Sequence, residues 1–128
     1  MDDREARAEA LELRTKRFAV DVVGVCHRIA GPTVLGDMAR QLARAATSVA
    51  ANHRAVRRAR SLKEFASKLQ IVSEEIDEAV HWLDVLLESG LVPGIDLGQL
   101  SRDGRELRNI FAVARKTTRA RLSNTRHP

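Results

Sequence analysis

Glu78-Ala79-Val80-His81 sets a carboxylate and an imidazole one helical turn apart. Di-iron carboxylate bundles use this Glu-x-x-His unit in duplicate, with two further carboxylates, all pointing inward. Here there is one unit, the preceding helix carries no glutamate, and the spacing turns Glu78 and His81 away from the expected core. No metal site and no cofactor is therefore expected. Ser48, His53 and Asp37 lie near one another in sequence, but one helix cannot converge them as a nucleophilic triad. The seven glycines form no phosphate-binding loop. Cys26 is the single cysteine and cannot form an intrachain disulfide. Its neighbours Val22, Val23, Val25 and Ile29 describe a buried, inert thiol. No catalytic residue emerges, and the chain reads as a non-enzyme.

What the chain does concentrate is charge. Between Met38 and Lys63 there are seven basic residues and no acid; from Leu69 through Ser101 there are seven acids and no base; after Glu106 six bases appear and again no acid. Projected at about 100° per residue, Arg40, Arg44, Arg54 and Arg58 fall on one line, opposite Leu42, Ala45 and Val49. Thr47 and Ala51 sit between them, short enough to let a partner approach. Arg57, Arg60 and Lys63 carry the positive charge around the following turn. Glu74, Glu78 and Glu88 form the mirror-image acidic line on the next helix, with Asp77 and Asp84 on its flank. Arg105, Arg108, Lys116 and Arg119 make the last helix basic again.

Three readings fit these lines. They can be ordinary solvated faces. The arginines can be a nucleic-acid surface, since guanidinium forks match phosphate geometry and give salt-dependent, sequence-independent affinity. With few aromatics to stack bases, sequence-specific reading of a single strand is not expected. Or the arginine face of one copy can dock on the acidic face of the next, a head-to-tail contact that closes into rings. Glu74, Glu78, Trp82 and Glu88 are the candidate interface residues in that case. Trp82, at the edge of its apolar face beside Ala79 and Leu86, suits either core packing or a subunit contact. Asn52 falls on the core line and forms a candidate buried polar set with Gln41 and Ser48, either fixing register or serving a polar site.

The elements that would position these residues are four amphipathic helices. Leu11, Thr15, Phe18, Val22, Val25 and Ile29 recur at steps of three and four, predicting a first helix over about Arg4 to Ile29 that Gly31-Pro32 ends. Thr33 caps a second, through Leu35, Met38, Leu42, Ala45, Val49, Asn52 and Val56. Ser61-Leu62-Lys63-Glu64 is a capping box opening a third helix, through Leu62, Phe65, Leu69, Val72, Ile76, Val80, Leu83 and Leu87, closed by Ser89-Gly90. After Pro93-Gly94, Asp96 and Gln99 suggest a second capping box for a fourth helix through Leu97, Leu100, Leu107, Phe111, Ala114 and Thr118. Short connections and one apolar stripe per helix predict an all-α, antiparallel up-down-up-down four-helix bundle. It forms one domain over residues 1–128, with a disordered tail from Ser123 to Pro128.

Composition agrees. An aromatic share of 3% with no tyrosine suits helix packing better than a β-sandwich. The N-terminus is charged rather than apolar, and no window approaches the roughly 20 apolar residues of a membrane span. A cytoplasmic protein without membrane contact is expected.

Several motifs together resemble the bacterial four-helix-bundle family named for proteins encoded in intervening sequences of large-subunit ribosomal RNA genes. They are Gln41-Leu42-x-Arg44-Ala45-Ala46-x-Ser48-Val49-x-Ala51-Asn52, Arg60-Ser61-x-x-Glu64-Phe65, Glu74-Glu75-x-Asp77-Glu78-x-x-x-Trp82-Leu83 and Glu88-Ser89-Gly90-Leu91. The resemblance implies a homopentameric ring. Through a distant relative, the accessory protein of diversity-generating retroelements, it also implies RNA or DNA and a reverse transcriptase or another nucleic-acid protein as partners. One departure matters: many members read Asn-Ile-Ala-Glu-Gly where this chain has Asn52-His53-Arg54-Ala55-Val56. The lost glycine and acid and the added basic residues favour a longer second helix.

Overall fold

A computed structural model describes residues 2–29, 31–92 and 94–126, which form four helices. They are α1 (Asp3–Ile29), α2 (Val34–Arg57), α3 (Leu62–Ser89) and α4 (Leu97–Arg126). Among the described residues no strand forms, and no helix is long and apolar enough to cross a membrane.

The helix ends follow from local side-chain chemistry. Thr33 and Ser61 take extended backbone, and their hydroxyls accept the N–H groups of Gly36 and Glu64, each at 3.0 Å. A cap of this kind contributes about 1 kcal/mol. Asp96 caps α4, its Oδ1 accepting from Gly98 and Gln99 at 3.0 and 3.4 Å. Both expected capping boxes are only half made. Glu64 turns to Arg60, and Gln99 turns to Asp103 and Arg102. At these exposed ends water can serve the cap N–H, so a charged neighbour wins the side chain. Gly90, at φ 68°, closes α3 in the left-handed region that suits glycine. The Pro93 half of the next turn lies outside the described residues.

Two further differences from the sequence reading are instructive. The expected tail is helical from Ser123 to Arg126, because no glycine or proline interrupts it and Leu122 continues the contact with α3; His127 and Pro128 lie outside the described residues. The core line of α2 runs through His53, not Asn52; both keep steps of three and four with Val49 and Val56, and it is the His53 ring that packs against Phe111. On α3, Leu86 rather than Leu87 is buried.

Phe18 and Val22, Leu42 and Val49, Leu69, Ile76 and Leu83, and Leu107 and Phe111 meet in one shared core. Burial of each such side chain is worth about 1.5–3 kcal/mol. Gly104 lets three helices converge: a Cβ there would lie 3.1 Å from Val80 and 3.3 Å from Phe18. Gly36 is equally constrained, since any side chain there would collide with the Gly31 carbonyl. Neighbouring helices run in opposite senses. Arg57 near the end of α2 meets Glu5 and Glu12 early in α1, while Ala43 meets Cys26 near the end of α1. Likewise Asp84, Asp77 and Ser73 of α3 meet Arg105, Arg108 and Phe111 of α4 in reverse order. The α2–α3 contact is the most extensive and the α1–α4 contact the least.

Candidate nucleic-acid interface

The arginine line of α2 is exposed, but much of its charge is already matched within the chain. Arg40 pairs with Asp37 one turn earlier. Arg44 reaches Glu78 of α3 at 3.0 Å. Arg60 lies 3.7 Å from Glu64. Arg57 is turned largely inward: its side chain is 22% exposed, 2.7 Å from Glu5 and 3.5 Å from Glu12 of α1. Its projection between the core line and α1 explains this. Arg54 and Arg58 make no ion pair among the described residues, yet they border a groove that also holds Glu9 and Glu12. Lys63 is exposed at the start of α3 and likewise makes no ion pair among the described residues.

The acidic line of α3 is divided in the same way. Glu74 accepts from Gln70, and Glu88 is exposed. Glu78 does not face outward as its spacing suggested. It sits on the α2–α3 seam, where it takes Arg44 and stands 3.4 Å from the indole N–H of Trp82. Trp82 is half-buried and packs edge-on against His81. Asp77 and Asp84 hold Arg108 and Arg105 of α4; one terminal guanidinium nitrogen of Arg105 lies 2.7 Å from both Asp84 oxygens, with Ser101 donating to the same carboxylate. Exposed pairs of this kind contribute little singly. Their effect here is to neutralise cations that the sequence displays as a basic face. Of the α4 set, Lys116 and Arg119 keep their charge unpaired among the described residues, and Arg115, which the linear reading passed over, joins them.

The polar set on α2 also resolves differently. Gln41 is exposed, and Ser48 and Asn52 are only half-buried, with the Asn52 amide donating to the Ser48 carbonyl and hydroxyl at 2.9 and 3.1 Å. The buried polar residue is His53, 4% exposed, its ring 5.2 Å from that of Phe111 and its Nδ1 without a hydrogen-bond partner. Burial pushes its pKa below the usual 6.5; Glu12 opposes the shift and Arg57 adds to it. Glu75 on the α2–α3 seam was also missed. One of its oxygens is buried without a partner, and burial together with the neighbouring Glu78 raises its pKa, against the pull of Arg44. The period that links Glu75, Glu78 and Trp82 would have marked it. Cys26 is buried as expected, its thiol pushed up to about 11 by that burial.

Among the described residues no three His, Cys, Asp or Glu side chains are placed to hold a metal ion. The arrangement offers anion attraction, concentrated in the α3–α4 groove, where Arg115, Lys116 and Arg119 line continuous recesses.

No curated protein matches the chain. Among solved structures, a protein of unknown function from Bacteroides thetaiotaomicron, assigned to the S23 ribosomal protein family, is similar in fold. It is 24% identical with a TM-score of 0.74, over 85% of this chain and 97% of that one. A family model described as 23S rRNA-intervening sequence protein matches residues 6–112. That span takes in every motif behind the resemblance, α1 from its second turn onward and all of α2 and α3, and by it the chain belongs to the 23S rRNA-intervening sequence protein family.

Proposed function

We propose that this protein is a non-catalytic nucleic-acid-binding bundle that works as a homo-oligomer. One observation carries the reading: Arg115, Lys116 and Arg119 share a groove in which they meet no ion-pair partner among the described residues. The antiparallel topology puts Lys63 and the α2–α3 turn at the same end of the bundle as the end of α4. Cations without local partners release counterions on meeting phosphates, so affinity should fall steeply with salt. A cytoplasmic setting, and a reverse transcriptase or another nucleic-acid protein as companion, fit this reading.

A different face supports self-association. Leu13, Val20 and Val23 of α1 are 64%, 53% and 44% exposed, and they border small residues of α2, Thr47, Ala50 and Ala51. A second copy covering this strip would take three exposed apolar side chains out of water; a pentameric ring is the arrangement the family resemblance suggests. That face favours the alternative reading, a self-assembling interaction module with no nucleic-acid role. Fluorescence anisotropy with labelled RNA and DNA across a salt series, alongside sedimentation, separates the two. The main proposal expects a mass well above 14.2 kDa and binding that weakens as salt rises. A large mass with no binding at low salt leaves the alternative; a clean monomer at micromolar concentration defeats the assembly claim.

A further inference from the structure

The α3–α4 groove changes character along its length. Its wider part, about 710 Å³, is bordered by Glu74 and Asp77, and Asp77 holds Arg108 at 3.5 Å. Its continuation, about 370 Å³, has no acid among its lining residues. Arg115 and Arg119 border both parts. They stand one turn apart on α4, so their guanidinium groups share one wall. Ser67 and Gln70 of α3 supply a hydroxyl and an amide opposite them, over an apolar floor that includes Leu69 and Leu122.

Two like charges on one wall of a recess, with no carboxylate inside it, raise each other's energy unless an anion sits between them. A nucleic-acid backbone passing over the surface would need no recess. This one is at the small end of ligand-pocket sizes, roughly 300–1,000 Å³, which suits a single nucleotide. Arginine forks grip phosphate in bidentate fashion, and the leucine floor suits the apolar face of a base. A terminal phosphate monoester carries about two charges where a linking diester carries one, and two guanidinium groups match it better. From this geometry we infer that Arg115 and Arg119 form a subsite for the phosphorylated terminal nucleotide of a nucleic-acid strand. The family match ends at residue 112, so the two arginines lie beyond it, while Ser67, Leu69 and Gln70 opposite them lie within it. The inference rests on the nucleic-acid reading above and makes it specific.

The test compares a short RNA carrying a terminal phosphate with the same RNA lacking it, by anisotropy, and adds adenosine monophosphate and inorganic phosphate as competitors. The phosphorylated strand should bind about fivefold or more tighter. Adenosine monophosphate should compete better than inorganic phosphate. Arg115→Gln with Arg119→Gln should erase the preference, while Arg54→Ala with Arg58→Ala should leave it intact; circular dichroism verifies that both variants fold. Equal binding of the two strands by the intact protein overturns the subsite, as does a preference that survives in the Arg115/Arg119 variant. An oligomer that binds no strand at low salt refutes the broader reading, and the subsite is then decided by adenosine monophosphate alone. Binding lost in the Arg115/Arg119 variant upholds it, and no binding overturns it.

Discussion

Helices α2 and α4 carry similar runs of arginine, and the bundle treats them in opposite ways. On α2, Arg44 meets Glu78, Arg57 meets Glu5 and Glu12, and Arg40 meets Asp37. On α4 the first turns are tied to α3 through Asp84 and Asp77; Glu74 and Asp77 still border the recess that holds Arg115, Lys116 and Arg119, and only its continuation, lined by Arg115 and Arg119, holds no acid. A charge stripe read along one helix therefore says little about the surface until the neighbouring helix is known. α2 lies between two neighbours that turn carboxylates toward it, Glu5 and Glu12 of α1 and Glu78 of α3. The end of α4 has one neighbour, and there α3 shows Ser67 and Gln70 instead of carboxylates.

The largest effect should separate the two stretches directly. Replacing Arg115, Lys116 and Arg119 with alanine should lower RNA or DNA affinity about 100-fold at low salt and reduce the salt slope by about two units. Replacing Arg54 and Arg58 should cost much less, because Glu9 and Glu12 border the groove they line, whereas Arg115 and Arg119 also reach a recess that holds no acid. Equal losses from the two variants would erase the contrast. Arg57→Ala should reverse the pattern, leaving affinity per folded molecule unchanged and costing about 1–2 kcal/mol of stability in urea unfolding, since two carboxylates lose their shared cation. A loss within the ±0.5 kcal/mol of an ordinary surface change would show that its burial carries no energetic weight.

The bundle itself was legible because its signals are local and periodic. Thr33, Ser61 and Asp96 cap where their types require it, and steps of three and four found nearly every core leucine. Pairing was not legible, since it depends on which residues of two helices come level. Arg57 looks like part of a basic turn and becomes an internal strut. Glu78 looks solvated and sits on a seam. Periodicity could not choose between Asn52 and His53, since both continue the Val49–Val56 step, and the packing of His53 against Phe111 depends on α4. Arg115 flanks the Phe111–Ala114–Thr118 line, but only the level of α3 opposite it marks it as part of a groove.

His53 and Glu75 extend the comparison from partners to protons. His53 is held neutral by burial, so the folded state binds fewer protons than the unfolded one around pH 6. Its contribution is fully present above about pH 6.5, the ordinary histidine value, and fades as pH falls towards its lowered pKa. Thermal denaturation should show this as a declining Tm below pH 6.5. His53→Leu, similar in volume, should flatten the decline, and an unchanged pH profile in that variant would move the acid sensitivity elsewhere.

The smallest effect belongs to the seam where the two charged helices meet. Glu75 has a raised pKa, so its folded state holds a proton longer than its unfolded state. The sign is opposite to that of His53: Glu75 lowers stability as pH rises through the span between the ordinary carboxylate value and its raised one, and the deficit persists at neutral pH. The cause is a carboxylate oxygen enclosed without a donor, beside Glu78, whose own charge is answered by Arg44. Glu75→Gln keeps the shape and removes the charge. It should raise Tm slightly at pH 7 and leave it unchanged near pH 4, where the glutamate is largely protonated. A lower Tm at pH 7 would mean that Glu75 needs its charge to hold Arg44 in place. The α2–α3 seam would then be a three-member ion network, with Arg44 answering two carboxylates instead of one.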